Sequence, residues 1–210
     1  THGDDYGLIL PPRLAPFQVI IIPIYRDADQ KASVLEVVDN LNRLLIDNDI
    51  RVKIDDREEL TPGHKFHYWE LRGVPLRIEI GPKDVVNKSV VVARRDIVGK
   101  KGKQVVSTDS VVKSVRNLLV EIQETLLKRA TNFRDSNTHE PADYKHFQEI
   151  VSEGFALAWW CGDASCEIAI KNETKATSRC IPVSSSEGNK GTCIYCDKDA
   201  IEKAYFAKAY

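Results

Sequence analysis

The cysteines constrain the fold of this chain more than any other feature. All five lie between residues 161 and 196, and four of them form two close pairs, Cys161 with Cys166 and Cys193 with Cys196. Two close pairs separated by a longer insert suit a tetrahedral zinc ion, because each pair can bring two thiolates to the metal. Four thiolate ligands leave no open coordination position, so the spacing predicts a zinc ion with a structural role.

Free or buried thiols remain an alternative to metal ligation, as does a redox dithiol at Cys193 and Cys196. A secreted disulfide framework is disfavoured, because the number of cysteines is odd and the first 160 residues contain none. The fifth cysteine, Cys180 in SRCIP, is predicted to be a buried apolar residue on a strand. If Cys180 were a metal ligand, one member of the first pair would have to be free.

Strand and helix patterns alternate along the first part of the chain. A buried strand is predicted at QVIIIPIY, and a helix follows whose apolar residues recur every three or four positions between residues 34 and 45. Further strands are predicted at IRVKID, PLRIEI, 89–95 and 104–107, with helices at 64–72 and from residue 110 onward. This alternation indicates an α/β layer fold, in which helices cover a sheet.

Composition and boundaries limit the possible functions further. The 30 basic and 31 acidic residues nearly cancel, so any contact with nucleic acid must come from a local patch. The longest apolar run, at 19–24, is too short to cross a bilayer, and no signal-peptide pattern opens the chain, so we expect a cytoplasmic protein without membrane attachment. The absence of methionine indicates a piece of a longer protein. The polar sequence NFRDSNTHEPAD marks a predicted boundary after residue 130, and a second unit begins at Tyr144.

The stretch WELRGVPLRIEIGPKD places charges inside a strand pattern. Leu76, Ile78 and Ile80 alternate with Arg77 and Glu79, which predicts a half-buried strand with both charged residues on its exposed face. An arginine fork matches the O6 and N7 acceptors of guanine, and a carboxylate can accept from the N1 and N2 donors, so this face suits unpaired guanines. The alternative is a face that is only solvated, which is usual for charged strand residues.

Two neighbouring groups of residues allow similar alternatives. Trp69 and His67 can stack on a base, although an aromatic residue beside a hydrophobic strand more often belongs to the core. Lys100, Lys101 and Lys103 form a basic loop that either contacts nucleic-acid phosphates or is a solvated turn.

Several stretches together resemble, in the same order, the C-terminal part of prolyl-tRNA synthetases of the archaeal and eukaryotic type: HGDDYGLILPPRLAPFQVIIIPI, WELRGVPLRIEIGPKD, WWCGDASCEIAIK with ATSRCIP, and AYFAKAY. The resemblance covers essentially the whole chain. It implies that residues 1–16 are the tail end of a catalytic domain. Residues 17–130 then form a class II anticodon-binding domain, with a mixed five-stranded sheet flanked by helices. Residues 131–143 are a linker, and 144–210 a smaller α/β zinc-binding domain.

The resemblance also implies roles for individual residues. The residues that contact the two guanines shared by proline anticodons correspond to Glu70, Arg77, Glu79, Lys83 and Asp84. The zinc ligands correspond to the four paired cysteines, Cys161, Cys166, Cys193 and Cys196, in agreement with their spacing. The terminal Tyr210 is expected to place its carboxylate near the active site of the complete enzyme.

By the same resemblance, the parent protein is expected to be a homodimeric ligase that activates proline with ATP and magnesium and transfers it to proline tRNA. The motifs that bind ATP and proline are missing from this chain, so we assign no catalytic residue and expect it to be inactive alone. The alternative is a non-enzymatic RNA- or protein-binding module with a structural zinc site.

Overall fold

Residues 2–183, 190–200 and 202–208 are described by the computed structural model of the chain. They belong to two units, Thr1–Arg129 and Ala130–Tyr210. Tyr210, for which the family resemblance implies a place near an active site, lies outside the described residues. Among the helices in these ranges, none is both long enough and apolar enough to cross a membrane.

The first unit contains a helix-covered sheet preceded by a short hairpin. In chain order its elements are β1 (Gly3–Asp4), β2 (Gly7–Leu8), β3 (Val19–Pro23), α1 (Ala28–Ile46), β4 (Val52–Ile54), α2 (Pro62–Leu71), β5 (Leu76–Ile80), α3 (Pro82–Val86), β6 (Ser89–Arg94), β7 (Lys103–Ser107) and α4 (Val111–Ser136). Short 3-10 helices at Gly99–Gly102 and Thr108–Ser110 lie on either side of β7.

Strands β3 to β7 form one mixed sheet in the order β4-β3-β5-β6-β7. Strand β3 is parallel to β4 and β5, whereas β6 is antiparallel to β5 and β7. The structure therefore confirms the predicted mixed five-stranded sheet flanked by helices.

The two faces of this sheet are covered differently. Ile21 and Ile78 face the main hydrophobic core, where they pack with apolar residues of α1 and α4. On the opposite face, Ile20 and Ile22 pack with Trp69 of α2. Helix α2 has 10 residues, against 19 in α1 and 26 in α4, so less of the second face is covered by helix.

A buried polar contact fixes α2 on the sheet. Thr61 caps the helix, and Trp69 near its end donates from Nε1 to Oδ2 of Asp55 at 2.7 Å. Asp55 directly follows β4 and is buried. Phe66 and Glu70 are one helical turn apart, and both contact the same residue of β5, described below.

The second unit is a smaller α/β layer. Its elements are β8 (Thr138–His139), α5 (Tyr144–Glu153), β9 (Phe155–Trp160), α6 (Ala164–Thr174), β10 (Ala176–Cys180), β11 (Gly191–Thr192), β12 (Asp199–Ala200) and β13 (Glu202–Lys208). Four strands form a sheet in the order β10-β13-β9-β8, and β11 and β12 form a separate hairpin. Phe147, Ile170 and Phe206 are fully buried in its core.

Two parts of the predicted linker at 131–143 have regular secondary structure. Helix α4 continues to Ser136, and Thr138–His139 pairs with β9 as a strand of the second sheet. The sequence pattern suggested a polar connection because the end of α4 is exposed and therefore carries polar residues on most of its surface.

Candidate nucleic-acid interface and metal centre

Arg77 and Glu79 share one face of β5, as the sequence alternation predicts. Their register partners on β3 are Ile20 and Ile22, so they lie on the face that carries α2. The prediction that this face is exposed is wrong, because each of the two residues is only 9% exposed. The alternation identifies which residues share a face, but it does not show that α2 and the side chain of Lys103 cover this part of it.

The charged residues of this face form a continuous ion-paired network. Arg77 donates from Nε to Oε1 of Glu79 at 3.0 Å and from Nη1 to Oε1 of Glu70, on α2, at 2.9 Å. Lys103 Nζ, on β7, contacts both carboxylate oxygens of Glu79 at 2.7 and 3.0 Å. Two cations and two carboxylates make the network formally neutral. Its chemistry therefore favours hydrogen bonding to a base edge over attraction of a phosphate.

Phe66 supplies a flat apolar surface next to this network. The guanidinium carbon of Arg77 lies 4.1 Å from the centre of the Phe66 ring, and Lys103 Nζ lies 5.4 Å from it. Such stacking fixes the plane of the guanidinium. Phe66 was not among the residues predicted from the sequence, although its position four residues before Glu70 on a predicted helix is a signal that places both on one face.

A cleft of about 230 Å³ opens beside the network. Its walls include Tyr6, Glu70, Arg77, Arg95 and Lys103. A guanidinium has more N–H donors than Arg77 uses in its contacts with the two glutamates. The arrangement can therefore present donors and carboxylate acceptors side by side to a planar ligand.

Lys83 and Asp84 lie beyond the carboxyl end of β5, in the short helix α3. Lys83 is exposed, and among the described residues its ammonium has no hydrogen-bond or ion-pair partner. Asp84 accepts a hydrogen bond from the backbone N–H of Gly81 at 2.8 Å, which stabilises the start of α3. Asp84 therefore has a structural contact, whereas the charge of Lys83 is available to a ligand.

The remaining candidates near this site separate into core and surface residues. Trp69 is buried and bonded to Asp55, so the core alternative applies to it, whereas His67 is exposed. Lys100 and Lys101 are exposed in the 3-10 helix before β7.

The four paired cysteines come together in the second unit. Their sulfur atoms all lie within 4.8 Å of one another. The Sγ atom of Cys161 is 3.7 Å from that of Cys166 and 3.8 Å from that of Cys196. A regular tetrahedron with Zn–S bonds of about 2.3 Å has S···S edges of about 3.8 Å, so this donor set fits a zinc ion. Because both cysteine pairs lie in one cluster, the arrangement favours a metal site over a dithiol formed by Cys193 and Cys196 alone.

Three elements position the four sulfurs. Cys161 directly follows β9, and Cys166 lies in the first turns of α6. Cys193 and Cys196 lie in the turn of the β11–β12 hairpin, where Cys193 donates its N–H to the carbonyl of Lys198 at 2.8 Å. A metal at this position would join a strand, a helix and a hairpin. Nearby, the indole nitrogen of Trp160 is buried without a hydrogen-bond partner among the described residues, and its ring packs against the cysteine cluster.

The cysteine thiols have different ionisation properties. Burial raises the pKa of Cys166 to about 12 and also raises that of Cys161. Burial opposes ionisation of Cys193 as well, but hydrogen bonds from backbone N–H groups outweigh it and lower the pKa to about 7. Zinc binds the thiolate form of cysteine, and the positive charge of the ion would favour deprotonation of the buried thiols.

Cys180 is on a strand, as predicted, but the prediction that it is buried is wrong. It lies at the exposed end of β10, where the pairing with β13 is irregular. This irregularity changes the direction of the last side chains of the strand, which the sequence pattern does not show. Cys180 is not a member of the cysteine cluster.

Two family models match the chain. One, described as "Anticodon binding domain", matches residues 18–118, and the other, described as "Prolyl-tRNA synthetase, C-terminal", matches residues 144–210. The two matched regions contain the charged network and the cysteine cluster, respectively.

Curated relatives align along the whole chain. It is 43% identical to the proline–tRNA ligase of Chloroflexus aurantiacus (strain ATCC 29366 / DSM 635 / J-10-fl) and 45% identical to that of Roseiflexus sp. (strain RS-1), covering 100% of this chain and 43% of each of those proteins. It is 44% identical to the chloroplastic/mitochondrial proline–tRNA ligase of Arabidopsis thaliana, of which it covers 39%. The chain thus spans less than half of the length of these relatives.

A solved structure shows the same fold. The crystal structure of prolyl-tRNA synthetase from Cryptosporidium parvum, complexed with L-proline and AMP, superposes with a TM-score of 0.88 at 35% sequence identity. The match covers 100% of this chain and 44% of that one.

Proposed function

Because the chain belongs to the prolyl-tRNA synthetase family, we propose that it is the tRNA-recognising, C-terminal part of an enzyme that attaches proline to tRNA. In this proposal residues 17–130 bind the anticodon, 144–210 form a zinc-stabilised domain, and 1–16 are the end of the catalytic domain. Support comes from the family-model matches to 18–118 and 144–210. We assign ATP, magnesium and the homodimer contacts to the parent enzyme, and a cytoplasmic location stays a prediction.

One observation carries the anticodon assignment: Arg77 is held between Glu70 and Glu79 at the edge of a cleft. Guanine is the base that combines acceptors at O6 and N7 with donors at N1 and N2. A site that offers guanidinium donors beside carboxylate acceptors matches both sets. The aromatic ring of Phe66 holds the guanidinium in plane, which reduces the entropy lost when a base binds.

We assign the second guanine to the region of α3. Lys83 has an exposed, unpartnered ammonium among the described residues, and a lysine can donate to O6 or N7 of guanine. Asp84 can still accept from a guanine donor with its second oxygen while it caps α3. In this proposal Glu70, Arg77 and Glu79 read one guanine, and Lys83 and Asp84 read the other.

We further propose that Cys161, Cys166, Cys193 and Cys196 hold one structural zinc ion. The fit of the sulfur spacing to a tetrahedron supports this assignment. All four ligands come from the protein, so the ion would stabilise the fold and would not activate a substrate.

Arg77→Lys tests the anticodon assignment. The substitution keeps the positive charge but removes the planar fork, so binding of proline tRNA should weaken by about 1 to 3 kcal/mol. Binding is measured at one salt concentration, because phosphate contacts make affinity depend on salt. Lysine is preferable to alanine here, because Arg77 is buried and its complete removal would leave Glu70 without its ion-pair partner and Glu79 paired with Lys103 alone.

Arg94→Lys is a matched control. The side chain of Arg94 is 13% exposed, against 11% for Arg77, and it also contacts two carboxylates, Asp96 and Glu121. Arg94 borders the cleft, but its side chain projects to the opposite face of the sheet, since its register partner is Leu76 of the main core and it contacts Glu121 of α4. Equal tRNA affinity in wild type and Arg77→Lys, or equal losses in both variants, would reject the assignment. If tRNAs with and without the two guanines bind equally, the alternative of a general RNA- or protein-binding module is favoured instead.

A further inference from the structure

The hairpin formed by β1 and β2 contacts the end of α2 through backbone atoms. Leu10 donates its N–H to the carbonyl of Gly73 at 3.1 Å. Gly73 has a φ of +70°, and a Cβ atom there would lie 2.7 Å from the carbonyl carbon of Leu8. A Cβ on Gly7 would lie 2.5 Å from the Cα of Leu71. Only glycine permits approaches this close, so the hairpin is packed tightly against the helix end.

Arg95 links the same two elements through its side chain, which is only 4% exposed. Its Nη atoms donate to both carboxylate oxygens of Asp4, at 2.9 and 2.6 Å, and to the carbonyl of Gly7 at 3.1 Å. Its Nε donates to the carbonyl of Glu70 at 3.0 Å. The hydrogen bond from Arg95 is the largest influence on Asp4, and it holds the pKa of that carboxyl below its usual range.

Glu70 therefore belongs to two sets of contacts at once. Its backbone carbonyl binds Arg95, and its carboxylate binds Arg77. The hydrogen bonds run without interruption from Asp4 through Arg95 and Glu70 to Arg77. At the tip of the hairpin, Tyr6 lines the cleft beside Arg77 and is 50% exposed.

We propose that the β1–β2 hairpin is part of the guanine site, with Tyr6 as a stacking surface for an RNA base and Arg95 as the residue that positions Glu70. This inference rests on the proposed anticodon function. It enlarges the site beyond the region matched by the anticodon-binding family model, which begins at residue 18. An exposed aromatic ring beside hydrogen-bonding groups is the usual arrangement for recognising an unpaired base.

The stacking role is tested with Tyr6→Ala and Tyr6→Phe. The probe is an RNA hairpin that carries a proline anticodon loop, and the reference is the same hairpin with both guanines changed to adenine. Tyr6→Ala should weaken binding of the guanine hairpin about tenfold, because stacking is lost, whereas Tyr6→Phe should bind like the wild type. Phe133→Ala is a control for removal of an exposed aromatic, because Phe133 is 65% exposed on α4 and far along the chain from the cleft.

The positioning role is tested with Arg95→Met and its neighbour Arg94→Met. Arg95 is buried and Arg94 is half-buried, and both are paired with aspartate, but only Arg95 binds Glu70. If Arg95 had only a structural role, both substitutions would lower the stability of the fold without changing the preference for the guanine hairpin over the adenine hairpin. We expect Arg95→Met to lower the ratio of affinities for the guanine and adenine hairpins at least fivefold, and Arg94→Met to leave this ratio unchanged.

The outcomes separate this inference from the proposed function. If Arg77→Lys reduces guanine preference but Tyr6→Ala and Arg95→Met do not, the hairpin has no part in the site and the inference is overturned. If Arg77→Lys keeps full preference, the anticodon assignment itself fails, whatever the hairpin variants do. Should Arg95→Met fail to fold, Tyr6→Ala decides alone, since a half-exposed tyrosine can be truncated without loss of the fold.

Discussion

At the scale of single residues, Asp55 shows how a buried charge fixes the site. Burial alone would raise the pKa of Asp55, but hydrogen bonds from Arg57 and Trp69 outweigh it and hold the pKa below its usual value of 3.8. Because the folded state prefers the ionised form, the stabilisation is present above pH 3.8 and is lost as the pH falls below that value. The bond to Trp69 anchors α2, which carries Glu70 and Phe66.

Asp55→Asn is expected to destabilise the first unit at neutral pH, because it removes the charge that pairs with Arg57 and weakens the bond to Trp69. It should also reduce the loss of stability on acidification, because the variant has no carboxyl to protonate at this position. Urea unfolding at pH 7 and pH 3 measures both effects. An unchanged difference between the two pH values would show that Asp55 does not contribute to the acid sensitivity.

The spacing of residues in the sequence was enough to predict which side chains share a strand face and which cysteines lie together. Strand parity put Arg77 and Glu79 on one face, and the four paired cysteines lie together in the structure. Exposure was not predictable in this way, because it depends on elements that are distant in sequence. Lys103 reaches Glu79 from β7, and Arg95 binds Asp4, which lies 91 residues earlier in the chain.

At the scale of elements, the β11–β12 hairpin depends on a close contact with β9. A Cβ atom on Gly191 would lie 2.4 Å from the ring of Trp159, well inside van der Waals contact. Ile194 donates its N–H to the carbonyl of Trp159 at 3.0 Å, so the same contact sets the position of Cys193.

We therefore predict that Gly191→Ala displaces the hairpin and destabilises the second unit by about 1 to 3 kcal/mol, the usual cost of overpacking. Zinc affinity should fall with it. Gly63→Ala is the control, because nothing lies within 4 Å of a Cβ at Gly63, on α2. That substitution should leave zinc affinity unchanged and stabilise α2 by up to about 1 kcal/mol. Zinc titration against a competing chelator compares the two variants, and equal affinities would contradict the close-contact explanation.

The long elements of the first unit were predictable because their apolar periodicity is sustained. Helices α1 and α4 and strands β3, β5 and β6 occur where the pattern placed them. The pattern did not reveal the short elements β1, β2 and α3, because two to five residues are too few to establish a period. The turn between β1 and β2 contributes Tyr6 to a wall of the cleft, and α3 carries Lys83.

At the scale of the whole molecule, the two units have separate cores and should respond differently to removal of metal. We predict that the purified chain contains about one zinc ion, and that chelation unfolds the second unit while the first stays folded. Trp159 and Trp160 pack against the cysteine cluster, so their fluorescence should report the loss of the second unit.

Cys180→Ser is the matched control for this experiment, because Cys180 is exposed and outside the cluster. It should keep the full zinc content, whereas Cys193→Ser should lose it. A chain that contains no zinc and still shows a folded second unit would contradict the metal assignment.

A double-mutant cycle tests most directly whether Arg77 reads a guanine of the proline anticodon. Wild type and Arg77→Lys are each titrated with the guanine hairpin and with the adenine hairpin at one salt concentration. We predict that the wild type prefers guanine at least tenfold and that Arg77→Lys loses most of this preference, a coupling of about 1 to 3 kcal/mol. If the preference is the same in both proteins, Arg77 does not read the base.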